Sequence, residues 1–143
     1  MLDTSTLVAA FRSGSGAAAE VVRLAALVKI AILLDFKLVC EYREVLLRPE
    51  HLEASGRSPE DAEAIIEMLE AVATPVLVRF KHRPLSRDAN DDMVLDVAIN
   101  GHAVVIVTAN TRDFSAGSQF GIPAMTPRQF LIAWREGGFH DAD

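Results

Sequence analysis

The sequence holds one cysteine, Cys40, one tryptophan and one tyrosine. Without a second cysteine there is no internal disulfide, which excludes a small secreted fold stapled by bridges and points to the cytoplasm as the compartment. His51, His82, His102 and His140 are scattered, without the spacing of a zinc site. No glycine-flanked nucleophile of the GxSxG type occurs, so nothing marks a serine hydrolase. The segment "SGSGAAAE" lacks the lysine of a phosphate-binding loop. No interleaving of aromatic and basic residues suggests a platform for single-stranded nucleic acid. Positive charge is in deficit too: 14 Lys and Arg face 20 Asp and Glu, a formal net charge of -6. That balance argues against a passive nucleic-acid scaffold held by a basic surface. It leaves room for an enzyme that meets phosphates through cations held by its carboxylates, because a bound divalent ion dominates the local field.

Long apolar runs are missing as well. "LAALVKIAILLDFKLV" is broken by Lys29, Asp35 and Lys37 at intervals too short for a membrane span of about 20 residues, so it reads as core. The N-terminus lacks the charged start, apolar centre and cleavage site of a signal peptide. What the chain does have is apolar content: half of its 143 residues are hydrophobic. That suits one domain over 1–143, with the polar end "EGGFHDAD" expected to be a loose tail from about residue 137 to 143.

Along the chain, "MLDTS" reads as the end of a short strand and "TLVAAF" as a helix, with Thr4, Ser5 or Thr6 available as a cap. "AAAEVVRLAALVK" follows as a helix. After "AILL", the stretch "DFKLVCEYREVLLRP" is expected to be helical, with Asp35 as its cap and Pro49 as its exit. Leu38, Glu41, Tyr42, Val45 and Leu46 share one face of that helix, which puts Glu41 close to the apolar side. "SPEDAEAIIEMLEAV" is a helix capped by Ser58, with Pro59 in its first position. "TPVLVRF" reads as a strand and "SRDANDDMVLDVAINGHA" as a helix. "VVIVTAN" is a β-branched strand buried on both faces, "GIPAMT" a last short strand, and Thr126-Pro127 the start of a terminal helix. Strands alternating with helices argue for an α/β domain with a largely parallel central sheet. Ligands in such sheets bind at the carboxyl ends of the strands.

Carboxylates stand where that crevice is expected. Asp3 follows the first strand, Glu41 faces inward, Asp91 and Asp92 open an otherwise apolar helix, and Asp113 follows "VVIVT". On a helical wheel Asp92, Asp96 and Asn100 form one narrow polar stripe. Burying several carboxylates together is unfavourable by several kcal/mol unless protons or cations neutralise them. Hard oxygen ligands suit Mg²⁺ or Mn²⁺. Taken singly, each acid also has an ordinary role: Asp91 as a helix cap, Asp92 beside the helix dipole, Asp113 in a turn, Glu41 paired with Lys37.

Four blocks, "LDTSTLVAAF", "EYREVLLRP", "DANDDMVLDVAINGHAVVIVTANTRDF" and "GIPAMTPRQFL", occur in an order that resembles the PIN-domain family of metal-dependent ribonucleases. The closer likeness is to its toxin-antitoxin branch, related to VapC-type toxins. The resemblance implies a three-layer α/β/α domain. It also implies a catalytic, metal-binding quartet of Asp3, Glu41, Asp92 and Asp113 that holds Mg²⁺ or Mn²⁺, with Ser5, Asp91, Thr108 and Asn110 as supporting polar residues. Asp92 is preferred to Asp91 because its interval to Thr108 matches the family's. Ser5 stands where the family usually has Asn. Only Met1 and Leu2 precede Asp3, a shorter lead-in than usual, so Asp3 is expected to be held by few sheet contacts. An RNA substrate, an antitoxin protein and a homodimer are the implied partners. Arg12, Lys81, Arg83, Arg87 and Arg112 are candidates for steering RNA. Two other readings remain: a non-catalytic PIN-fold binding module, and a phospho-receiver-like signalling domain. The second is disfavoured because no lysine follows Lys81.

Overall fold

In the computed structural model, which describes residues 1–81 and 89–139, helices carry most of the chain and short parallel strands position their ends. The order is α1 (Thr4–Arg12), α2 (Ala17–Ala26), β1 (Leu33–Leu34), α3 (Phe36–Leu46), α4 (Pro49–Ser55), α5 (Pro59–Val72), β2 (Thr74–Pro75) and α6 (Ala89–Asn100). β3 (Ile106–Val107), a 3₁₀ segment (Thr111–Phe120), β4 (Ala124–Met125) and α7 (Pro127–Arg135) complete it. This is the α/β architecture expected from the alternation of elements.

All of the described strand pairings are parallel. β1 pairs with β2 in the register Leu33 to Thr74 and Leu34 to Pro75. β3 pairs with β4, Ile106 to Ala124 and Val107 to Met125, and on its other side Leu2 bridges Val107. β3 is therefore covered on both edges, which agrees with the burial of Val105, Ile106 and Val107.

The strands are shorter than the β-branched runs suggest, and the cause is visible for "TPVLVRF". Val76 still donates to the Leu34 carbonyl at 2.8 Å, but beyond it the chain meets a side chain rather than a strand. The Asn100 side-chain oxygen accepts from the Arg79 and Phe80 amides at 2.9 and 3.0 Å. Its amide nitrogen donates to the Phe80 carbonyl and, one turn back in its own helix, to the Asp96 carbonyl, both at 2.8 Å. One amide side chain thus satisfies backbone groups that a ladder would otherwise take.

Local signals set the helix starts. The Asp35 carboxylate accepts from the Leu38 amide at 2.8 Å. Ser58 and Asp61 form a reciprocal capping box, as do Thr126 and Gln129. Pro49 is a correction: it opens α4 in place of ending the preceding helix, whose last residue is Leu46. Proline fits the first helical turn as well as it fits a helix exit. α2 also stops earlier than its periodicity suggests, at Ala26, because Val28 turns left-handed (φ 55°) and Lys29 donates back to the Leu24 carbonyl.

The core lies between the helices and the strands, with Leu7, Phe11, Val21, Leu38, Tyr42, Leu46, Ile66, Leu69, Leu95, Ile106 and Phe114 almost fully enclosed. α1 packs on α2, α3 and α4, α3 on α5 and α6, and α6 on β1 and the 3₁₀ segment. The tail expected to be loose runs on to Phe139, whose ring stacks on Phe130 at 5.4 Å. Residues 140–143 lie outside the described part, as does the expected start of α6 at Ser86 to Asp88.

Candidate metal centre

Asp3 sits directly before α1, in the N-cap position, with φ -70° and ψ 153°. An aspartate there ordinarily turns its carboxylate onto the helix amides. This one does not: its side chain makes no capping bond, and helix entry is managed by its backbone carbonyl, which accepts from the Thr6 amide at 3.0 Å. Two hydroxyls hold the carboxylate instead, Ser5 Oγ at 2.6 Å and Thr108 Oγ1 at 2.8 Å. Both donate to Oδ2. Among the described residues Oδ1 receives no hydrogen bond.

The two hydroxyls are themselves fixed. Ser5 Oγ accepts from the Ala109 amide at 3.0 Å, Thr108 Oγ1 accepts from the Asn110 amide at 3.0 Å, and the hydroxyls lie 3.3 Å apart. Thr108 is wholly buried and Asp3 is 7% exposed. A buried carboxylate that takes two hydroxyl donors on one oxygen is locked in rotation, with its other oxygen left to present.

The short lead-in does not leave Asp3 loose. Its amide donates to the Val107 carbonyl at 2.9 Å, and the Val107 amide donates to the Met1 carbonyl at 2.8 Å. Thr6 Oγ1 also reaches the Val107 carbonyl, at 2.8 Å. From α3 the buried Tyr42 hydroxyl donates to the Leu2 carbonyl. Burial pushes the Tyr42 phenol well above its ordinary range, and the charges of Asp3 and Asp35 push it further. The hydroxyl therefore stays protonated and stays a donor.

The remaining acids come from elements that pack in sequence on one another. Glu41, half-buried, precedes Tyr42 on α3. Asp92 (5% exposed) and Asp96 (4%) are buried on α6, while Asp91 is half-buried beside them. Asp113 is exposed at the start of the 3₁₀ segment, with its amide bonded to the Asn110 carbonyl at 3.1 Å. Of the supporting residues, Ser5 and Thr108 touch Asp3 directly, whereas Asn110 takes part through its backbone amide. Arg12 and Arg112 are exposed, as is Lys81. Arg83 and Arg87 lie outside the described residues. Among the described residues no three His, Cys, Asp or Glu side chains stand together as a ready-made metal group.

Sequence reasoning missed Tyr42 as the clamp on the first strand and assigned Asp35 only a capping role. Asp96 was visible on the polar stripe of α6, although nothing local separated it from Asp92. The donor set is chemically suited to a hard cation, which binds through one or two carboxylates and completes its shell with water and substrate phosphates. Asp3 Oδ1 supplies an oriented oxygen of that kind.

No curated protein and no solved structure was found to match this sequence. A family model described as "PIN domain" does match, over residues 1–112. That span contains Asp3, Glu41, Asp92, Thr108 and the helices and strands that carry them, and stops one residue before Asp113. PIN domains have a nuclease-like fold and generally use divalent metals. By this match, and with parallel strands that converge on a hydroxyl-locked aspartate, the chain belongs to the PIN-domain family.

Proposed function

We propose that this protein is an endoribonuclease dependent on Mg²⁺ or Mn²⁺, and the toxin of a toxin-antitoxin pair. The observation that carries the nuclease reading is the Asp3 carboxylate, buried and held on Oδ2 by Ser5 and Thr108, with Oδ1 taking no hydrogen bond among the described residues. An aspartate that only capped α1 would not be held this way.

In this reading Asp3, Glu41, Asp92 and Asp113 are the catalytic carboxylates and hold the cation. When bound, the cation supplies an activated water and a clamp on the phosphodiester, and it stabilises charge on the leaving oxygen. The protein's own contribution is placement. Ser5 and Thr108 prevent the Asp3 carboxylate from rotating onto the α1 amides. Tyr42 fixes the Leu2 carbonyl and with it the backbone leading into Asp3. Asp92 brings a second buried carboxylate from α6, which packs on α3. Glu41 and Asp113, less enclosed, complete the set from α3 and the 3₁₀ segment. With a formal charge of -6, the chain holds the cleaved phosphate more tightly once its acidic centre is loaded, and Arg12, Lys81, Arg83, Arg87 and Arg112 are the cations that guide the strand.

The test is cleavage of a structured RNA with Mg²⁺ present by the parent, Asp3→Asn and Asp92→Asn. Strong loss in both variants is expected, and equal cleavage by all three ends the proposal. Calorimetric titration with Mn²⁺ should give saturable binding that Asp92→Asn removes. The toxin role rests on the resemblance to that branch of the family. Expression of the parent should arrest growth, Asp3→Asn should not, and a gene adjoining this one should encode the protein that relieves the arrest. A homodimer is the expected assembly, to be read by sedimentation.

A further inference from the structure

The dipeptide Phe-Lys occurs twice, as Phe36-Lys37 and as Phe80-Lys81, and the fold brings Phe36, Lys37 and Lys81 to one cleft. Phe36 opens α3 directly after Asp35, and its ring is 81% exposed, an unusual position for the largest apolar side chain of a helix. It lines two clefts at once. One, of about 440 Å³, has Lys37 and Lys81 on its walls, Leu77 and Met93 as apolar lining, and the carboxylates of Asp35 and Asp96. The other, of about 410 Å³, lies between α3 and β2. Phe80 is 68% exposed, and two bonds from the Asn100 side chain hold its amide and carbonyl, and with them the point where Lys81 leaves. Helix α6 joins the cleft to the candidate metal centre, since Asp96 on the cleft wall lies one turn from Asp92.

We propose that Phe36 is a stacking platform for an unpaired base of single-stranded RNA next to the cleaved phosphate, with Lys37 and Lys81 holding the flanking phosphates. The proposal rests on the ribonuclease reading above. Chemistry selects this occupant. An exposed ring between two lysines matches a nucleotide, which offers a π-face and an anion at fixed separation. Leu77 and Met93 give the base an apolar lining, and the lysines take the phosphates. Aromatic and basic residues do not interleave along the chain. They do so across the cleft.

The experiment measures binding of a short fluorescein-labelled single-stranded oligouridylate by anisotropy, without divalent cations so that nothing is cut, for the parent, Phe36→Ala, Phe36→Trp and Lys37→Ala/Lys81→Ala. Phe36→Ala should weaken binding roughly five- to 150-fold. Phe36→Trp should keep the affinity, and its added fluorescence should be quenched by the RNA. The double lysine variant should lower the slope of log affinity against log salt by about 0.7 for each lysine removed. A side chain this exposed can be truncated without unfolding the chain, and thermal melts followed by circular dichroism verify this. Unchanged affinity in Phe36→Ala overturns the proposal and makes the ring a contact for another protein. A parent that neither binds nor cleaves RNA fails the ribonuclease reading itself, a result distinct from a parent that binds and a Phe36→Ala variant that binds equally well.

Discussion

Thr108→Val is the most informative single change, because valine keeps the shape of a wholly buried side chain and removes only the hydroxyl. Two bonds disappear: the 2.8 Å donation to Asp3 Oδ2 and the 3.0 Å acceptance from the Asn110 amide. A hydrogen bond to a charged group contributes about 1.5 to 3 kcal/mol. We expect a loss of about 2 to 3 kcal/mol in urea unfolding at neutral pH, which for a chain of this size is a fall in melting temperature of roughly 6 to 12 °C. Ser5→Ala removes the other donor to the same oxygen, at 2.6 Å, and the acceptor for the Ala109 amide. After either change alone one hydroxyl still serves Oδ2. In the double variant the buried carboxylate has neither, so its cost should exceed the sum of the single costs by about 0.5 to 2 kcal/mol. RNA cleavage should follow the same non-additive pattern. Additive single effects, or a Thr108→Val loss below about 0.5 kcal/mol, would refute the idea that two hydroxyls jointly fix one oxygen of Asp3.

Three further outcomes are expected. A methyl group on Gly101 would meet Leu33 Cδ1 at 2.7 Å, Val76 Cγ2 at 2.8 Å and the Val97 carbonyl at 2.9 Å, so Gly101→Ala should cost about 1 to 3 kcal/mol by overpacking, read from the urea midpoint. Asn100→Ala should speed hydrogen exchange of the Arg79 and Phe80 amides, which lose their acceptor, while exchange within α5 stays as in the parent. The carboxyl of Asp61 is held below its usual range, first by the Ser58 amide and then by the Ser58 hydroxyl. Its contribution is therefore present above the unfolded carboxyl value, about 3.9, and is lost as pH falls through the lower folded value. The stability gap between the parent and Asp61→Asn, followed by urea unfolding from neutral to acid pH, should close on the acid side.

The helices were legible because their signals are local. Asp35, Ser58 with Pro59, and Thr126 with Pro127 each act within one turn, and the bonds they make are the ones their residue types favour. Pro49 shows the limit of such signals, since one residue type serves an exit and an entrance alike. Strand length was not legible. Whether "TPVLVRF" stays paired depends on a side chain some 20 residues downstream, Asn100, which takes its backbone groups. At the candidate site, Asp3 and Thr108 lie 105 residues apart. The family likeness named both, but only the fold reveals that a hydroxyl of one fixes the carboxylate of the other. The meeting of Phe36 and Lys37 with Lys81 in one cleft is likewise a tertiary fact, and reading the chain linearly hides it.

What holds Asp3 in place is not the length of the strand before it. Two residues of strand give two backbone bonds to Val107, too few to set a side chain's rotation. The other constraints are side chains that cross between elements: Tyr42 from α3 onto the Leu2 carbonyl, Thr6 from α1 onto the Val107 carbonyl, Ser5 from α1 and Thr108 from the end of β3 onto the carboxylate. Each of these donors is a hydroxyl, and each ends on Leu2, Asp3 or Val107. A hydroxyl serves this purpose well because it donates while its lone pairs take a backbone amide, as Ser5 does from Ala109 and Thr108 from Asn110. The same atoms that orient the carboxylate therefore pin the turn after β3, which leads directly into Asp113. Serine reaches Asp3 at 2.6 Å because α1 begins immediately after Asp3 and brings the hydroxyl in close.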